Sequence, residues 1–203
     1  MDDLTKAPDH DPAPPDPDAD WPAIRDWRKA TRTRLIAERI AIPAPDRAAR
    51  SERIDRALAA ALEARPSRLI GFYWPFRGEY DPRGLLAALR ERGAHLALPV
   101  IVERGRPLVF RAWAPGSLMT EGVWNIPVPE AGDTVQPDLL IVPLVGFDRR
   151  TYRLGYGGGF YDRTIAAMPA RPRTLGVGFA LGQLETIYPQ PHDIALDAVI
   201  TDA

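Results

Sequence analysis

Arg153-Leu154-Gly155-Tyr156-Gly157-Gly158-Gly159-Phe160-Tyr161-Asp162 places four glycines within five positions, directly ahead of a helix-forming segment. Upstream, residues 138–145 (DLLIVPLV) form an apolar, β-rich run of the length of a buried strand. Downstream, residues 161–168 read as the opening of a helix. The glycines therefore join a strand to a helix N-terminus, where amide N–H groups lack intrahelical partners and carry the positive end of the helix dipole. Such a backbone approaches an anion closely, and phosphate is the anion it suits.

Working outward, the chain alternates between two periods. Helices are predicted over 22–40, 46–65 and 82–92, the second with Ile54, Leu58, Ala61 and Leu62 on one face and the third stopped by Gly93. Strands are predicted over 68–74, 95–102, 108–113, 139–145, 174–179 and 197–201. Strands separated by helices predict an α/β fold with a mostly parallel sheet covered on both faces. Ligands of such sheets collect at the carboxyl ends of the strands, which is where the glycine loop is expected.

With 203 residues and 45% hydrophobic content, the chain can bury one substantial core, and a single domain over residues 21–203 is expected. Cysteine is absent, which excludes disulfides, thiolate metal sites and thiol nucleophiles. Neither a signal pattern nor an apolar run approaching roughly 18 residues is present, so a cytoplasmic protein without membrane partners is the expectation. Residues 1–20 hold seven aspartates and five prolines with little apolar surface, the composition of a disordered acidic tail. The whole chain carries −1. The tail holds one lysine against those seven aspartates, so the body carries +5. A small excess with both signs interspersed suits a nucleotide or another multiply charged small molecule better than a nucleic-acid track.

The loop fits neither common phosphate motif. The third glycine of G-x-G-x-x-G would fall on Phe160, and a Walker A loop needs Gly-Lys-Ser/Thr, whereas the only lysines are Lys6 and Lys29. Arg153 and Asp162 flank it instead. A fixed cation, an amide cradle and a first-turn carboxylate together suggest a nucleotide–Mg²⁺ site, because Mg²⁺ is commonly held by one or two carboxylates plus phosphate oxygens. The simpler alternatives are a tight turn without ligand for the glycines and a dipole partner or cap for Asp162.

Two segments, 142–148 (VPLVGFD) and 153–162 (RLGYGGGFYD), resemble the signature of the 5-formyltetrahydrofolate cyclo-ligase family, also called 5,10-methenyltetrahydrofolate synthetase. The likeness extends to 72–81 (FYWPFRGEYD), 124–129 (WNIPVP) and 193–201 (DIALDAVIT), leaving only the tail without a counterpart. The resemblance implies a three-layer αβα fold with a Rossmann-like open sheet. It also implies an ATP- and Mg²⁺-dependent conversion of 5-formyltetrahydrofolate, with or without a polyglutamate chain, to 5,10-methenyltetrahydrofolate, ADP and phosphate; a monomer is expected over an oligomer, although sequence does not set the oligomeric state.

Carried over by position, the ATP site comprises Arg153, Leu154, Gly155, Tyr156, Gly157, Gly158, Gly159, Phe160 and Tyr161, with Arg28 and Arg32 from the N-terminal helix. The family has Lys-x-x-x-Arg there; Arg28 stands in the lysine position, beside Lys29. Arg28 and Arg32, at i and i+4, share a helix face, as they also would on a plain solvated basic surface. The resemblance assigns Arg153 and Asp162 to catalysis, and Asp162 and Asp197 to Mg²⁺. It assigns the folate site to Trp74, Glu79 and Trp124 with Tyr156 to Phe160. Some relatives carry basic side chains at the positions of Tyr156 and Gly158; a Cβ should therefore be tolerated at Gly158, while Gly157 and Gly159 need positive φ or open backbone. Trp74 and Trp124 could equally be core aromatics, and Glu79 a solvated loop residue.

The implied chemistry suits this inventory. Phosphorylation of the formyl oxygen makes it a leaving group, N10 attacks the formyl carbon to close the ring, and phosphate departs. Positioning and charge neutralisation matter more here than a protein nucleophile, and His10, His95 and His192 receive no catalytic role. Two other classes fit the loop: a non-catalytic folate- or nucleotide-binding relative, and a sugar-phosphate isomerase-like enzyme using the anion site without ATP.

Overall fold

Alternating faces of one buried strand organise the molecule. The computed structural model describes residues 12–16 and 19–203. Its elements in chain order begin with α1 (Trp21–Ala41), α2 (Ala44–Ala64), β1 (Leu69–Gly71), α3 (Arg83–Glu91) and β2 (His95–Val100). Next come β3 (Val109–Trp113), β4 (Met119–Glu121), β5 (Pro127–Pro129), β6 (Thr134–Val135) and β7 (Leu139–Pro143). The C-terminal part contains β8 (Gly146–Asp148), β9 (Arg153–Leu154), α4 (Phe160–Ala167), β10 (Arg173–Val177), β11 (Gln183–Leu184) and β12 (Ala198–Ile200).

In β7, Leu139 and Ile141 join Ile54, Leu58 and Leu62 of α2 and Leu86 of α3, whereas Leu140 and Val142 join Ile165 of α4. Successive side chains of a strand point to opposite faces, so this partition defines three layers: α2 and α3, the sheet, and α4. The main sheet has the order β12-β10-β7-β1-β2-β3-β6. Its first five strands run parallel; β3 is antiparallel to β2, and β6 to β3. From β1 the chain proceeds outward through β2 on one side, and from β7 through β10 on the other. The crevice between β1 and β7 is thus the topological switch point, where open α/β sheets bind ligands.

The predicted helices and long strands match these elements to within a few residues. One connection differs. The run 139–145 does not lead directly into the glycine loop: β7 ends at Pro143, and a hairpin of β8 and β9 intervenes, pairing Gly146 with Leu154 and Phe147 with Arg153. The buried Asp148 carboxylate forms its turn by accepting from the amides of Arg150 (2.9 Å) and Tyr152 (3.1 Å).

Of the tail expected to be disordered, residues 1–11, 17 and 18 lie outside the described residues. Asp20 is the N-cap of α1, its Oδ1 accepting from the Ala23 amide at 3.1 Å, and the Pro15 carbonyl accepts from the Tyr188 hydroxyl at 3.2 Å. Among the described residues no helix is long and apolar enough to cross a membrane.

Candidate functional site

A cavity of about 640 Å³ opens at the carboxyl ends of β1, β2 and β7. The glycine loop forms its floor. Gly157 and Gly159 have φ of +88° and +61°, the left-handed region glycine occupies without penalty. Gly159 is the N-cap of α4 and supplies no side-chain acceptor, so the first-turn amides remain available to an anion. Gly158 differs from expectation. Its φ is not positive, yet a Cβ there would lie 2.6 Å from the Phe160 ring, so the aromatic neighbour rather than the backbone keeps this position small.

One face of α1 forms a cationic wall. Arg32 Nε donates to the Gly155 carbonyl at 2.5 Å, and its guanidinium carbon lies 3.5 Å from where a Cβ on Gly157 would sit. Burial, reinforced by the neighbouring Arg28, pushes its pKa down to about 10. An arginine held that way is short of negative charge. Arg28 is committed elsewhere: it donates to the carbonyls of Ile187 and Tyr188, both at 2.9 Å, and pairs with Asp193 at 2.6 Å. Both arginines line the cavity.

Arg153 and Asp162 form a mostly buried ion pair at 2.8 Å, with Arg153 also donating to the Ile194 carbonyl at 2.9 Å. The two donors to Asp162, Arg153 Nη2 and the Ile194 amide at 2.9 Å, meet Oδ1, leaving the carboxylate a second oxygen. Asp197 is not brought to this site. Its carboxylate accepts from the amide (2.7 Å) and hydroxyl (3.1 Å) of Thr174 and pairs with Arg171 at 3.5 Å. It precedes β12 and does not line the cavity, and it shares no hydrogen-bond partner with Asp162, so the structure does not bring the expected Asp162–Asp197 pair together. Among the described residues no cluster of three or more Asp, Glu or His is assembled. A divalent cation still fits at Asp162 if phosphate oxygens complete its shell.

The other end of the cavity is aromatic and holds a half-buried carboxylate. Glu79 accepts from the Phe76 amide and the Tyr156 hydroxyl, both at 2.9 Å. Desolvation raises its pKa to about 7, against the opposing pull of Arg39 and these two hydrogen bonds. Arg39 is the residue sequence reasoning missed. Buried in α1, it donates to the carbonyls of Arg77 and Leu144, both at 3.1 Å, and to Tyr156 Oη at 2.6 Å. A signal was present: Arg32 and Arg39 are seven residues apart, two helical turns, and so share a face. Arg39 thus brings positive charge to this end of the cavity through the Tyr156 hydroxyl. The buried Tyr161 hydroxyl, also in the cavity lining, has no hydrogen-bond partner among the described residues.

Trp124 covers this end. It sits between β4 and β5 at φ +60°, with Asn125 following at +59°, and its ring lies 6.5 Å from Tyr156 and 6.4 Å from Phe160. At 48% exposure it is not a core aromatic. Trp74 also lines the cavity, fixed by Trp113 at 6.5 Å and by the Arg83 guanidinium 4.3 Å from its ring centroid.

Residues 24–202 match the 5-formyltetrahydrofolate cyclo-ligase family. A 5-formyltetrahydrofolate cyclo-ligase of Mycolicibacterium smegmatis is 32% identical over 178 residues, covering 84% of this chain and 91% of that protein. The Escherichia coli protein of the same name is 35% identical over 141 residues, 65% of this chain and 76% of the relative. The solved 5,10-methenyltetrahydrofolate synthetase of Aquifex aeolicus superposes with a TM-score of 0.74 at 26% identity, covering 86% of this chain and 89% of its own. The Mycoplasma pneumoniae synthetase structure, at 22% identity and a TM-score of 0.72, shares the fold over 87% of this chain and 99% of that one.

Proposed function

The chain belongs to the 5-formyltetrahydrofolate cyclo-ligase family, and on that premise we propose that it converts 5-formyltetrahydrofolate to 5,10-methenyltetrahydrofolate, consuming ATP and releasing ADP and phosphate. The observation that carries this reading is one continuous cavity with an aromatic, Glu79-bearing end and a cationic, glycine-loop end. A folate is a flat, polar heterocycle and a nucleotide a polyanion. Each end suits one of them, and the loop lies where they would meet.

An N-formyl group resists cyclisation because its nitrogen donates into the carbonyl and its oxygen leaves poorly. Transfer of the terminal phosphoryl group to the formyl oxygen breaks the P–O bond to ADP and forms a P–O bond to the substrate. Attack of N10 on the formyl carbon then closes the ring, N10 gives up its proton to water or to the departing phosphate, and the C–O bond breaks as phosphate leaves. In this scheme Arg32, Arg153 and the loop amides hold the phosphates in line and offset their charge. Glu79, kept in place by Phe76 and Tyr156, accepts from pterin N–H groups, with Trp74 and Trp124 enclosing the ring. Mg²⁺ would be held by Asp162 and phosphate oxygens, where it neutralises charge on the transferring group.

The product absorbs near-ultraviolet light that the substrate does not. Purified protein should therefore develop that absorbance only when ATP and Mg²⁺ are both present, with one ADP per product. Product formation without nucleotide would overturn the ligase reading, and absence of product under all conditions would leave a non-catalytic binding protein.

The glycines separate the two ends. Gly157→Ala and Gly159→Ala force a Cβ into left-handed backbone at roughly 1–2 kcal/mol each and should weaken ATP affinity by about tenfold or more through the displaced amides. Gly158→Ala must instead push the Phe160 ring, so its main effect should fall on the KM for the folate. Equal effects of all three on nucleotide affinity, read by calorimetric titration, would mean the glycines only make a turn.

A further inference from the structure

Trp21 lies outside the family-matched segment, which begins at residue 24, yet its indole lines the cavity. We propose that Trp21 is the stacking platform for the base of the phosphoryl donor and so a further binding residue for the nucleotide. This rests on the reading of the cavity as a joint folate and ATP site.

α1 works as a ruler along that cavity. Arg39 meets Tyr156 at the Glu79 end, Arg32 meets the glycine loop, and Trp21 stands in the first turn. At 1.5 Å rise per residue, Arg32 lies about 10 Å from Arg39 and about 16 Å from Trp21 along the axis. A nucleoside triphosphate with its phosphates on the loop and its terminal phosphate toward the folate end must extend its base toward the helix N-terminus. The second interval is comparable to the reach of such a molecule from terminal phosphate to base.

Trp21 is held for this role. Asp20 caps the helix and fixes the backbone of the first turn. His192 meets the indole edge to face at 6.3 Å, and the Arg28 guanidinium lies 5.6 Å from the ring centroid. Arg28 is itself anchored by two carbonyls and Asp193. Even so, Trp21 remains 44% exposed while lining the cavity, so part of its surface is open to a ligand there. Stacking of a base on an aromatic ring is worth about 1–3 kcal/mol and needs no hydrogen-bond complement, which suits a rim of arginines and one lysine.

The test is a steady-state comparison of the full chain with Trp21→Ala and Trp21→Phe. Trp21→Ala should raise the KM for ATP about tenfold, Trp21→Phe should restore most of that loss, and the KM for 5-formyltetrahydrofolate should stay put. Inorganic tripolyphosphate, which has the phosphates without the base, should inhibit all three proteins with the same constant. If Trp21→Ala folds poorly, Trp21→Leu, which keeps apolar bulk without a π-face, carries the same expectation. An unchanged KM for ATP overturns the proposal, as does a parallel loss of tripolyphosphate inhibition, which would make Trp21 a mere prop of the cationic wall. A shift in the folate KM alone would assign this end to the glutamate chain of the folate and equally overturn it. Each of these results leaves ATP-dependent cyclisation by the wild type intact, whereas loss of that activity would strike the parent reading.

Discussion

Replacing Asp162 with asparagine is expected to lower turnover of 5-formyltetrahydrofolate by about 100-fold or more, and to lower stability at the same time. Asparagine keeps an oxygen for the Ile194 amide but removes the charge opposite Arg153, whose side chain is 5% exposed. Breaking a buried pair from one side costs on the order of 3 kcal/mol, because the remaining charge is left in a low dielectric. The loss of turnover has a separate origin. It follows from removing the carboxylate proposed to position a cation on the transferring phosphate, and electrostatic contributions of that kind are worth about 10²–10³ in rate. The two effects can be separated. Adding Arg153→Met to Asp162→Asn should recover much of the stability in urea denaturation while leaving turnover at the floor. Wild-type turnover of Asp162→Asn at ordinary Mg²⁺ would reduce Asp162 to a structural partner of Arg153.

Glu79→Gln should produce the opposite pairing, a more stable protein that works poorly. The Glu79 carboxyl is pushed from its ordinary 4.5 up to about 7, chiefly by burial. Between those values the folded chain binds the proton more tightly than the unfolded one. Stability from this group is therefore fully present below about pH 4.5, falls as pH rises, and is lost above about pH 7. The difference is worth about 3 kcal/mol. Glutamine has no charge to desolvate; its one oxygen can keep the Phe76 amide, and its NH2 then faces a Tyr156 hydroxyl that must turn from donor to acceptor. Its unfolding free energy should lack this decline and should exceed that of the wild type by up to about 3 kcal/mol above pH 7. Turnover should fall about tenfold or more if the carboxylate accepts from the pterin, since hydrogen bonds to a charged group are worth about 1.5–3 kcal/mol. An identical pH–stability profile in the two proteins would show that Glu79 is solvated.

What could be read from the sequence follows the physics of each element. β7 is apolar on both faces, and α2 repeats Ile54, Leu58 and Leu62 at helical spacing, so period and composition located the layers directly. The strands β4 and β5 escaped notice because each is three residues long and β5 begins and ends with proline, too short for an alternation to register. The hairpin before the loop was hidden by its continuity with β7: Leu144 and Val145 are as apolar as the strand, and the Asp148 that forms the hairpin turn through the Arg150 and Tyr152 amides is buried only because the distant Ile187 amide also meets it. At the site, the residue types were legible and the edge they occupy was not. Asp197 carries the same carboxylate as Asp162, and only the fold shows that it bonds Thr174 rather than lining the cavity. Arg39 was masked because an arginine on an amphipathic helix ordinarily belongs to solvent. Its burial depends on three acceptors from distant parts of the chain.

α1 has one more implication. The same rigid element touches the loop through Arg32 and the Glu79 end through Arg39, so its position enters the binding free energy of both substrates. Two ligands that each shift that helix would be thermodynamically linked, and such linkage is reciprocal. Whatever factor bound nucleotide contributes to folate affinity, bound folate returns to the nucleotide. An order of addition, if the enzyme shows one, would then be a matter of access to the cavity rather than of preference between its ends.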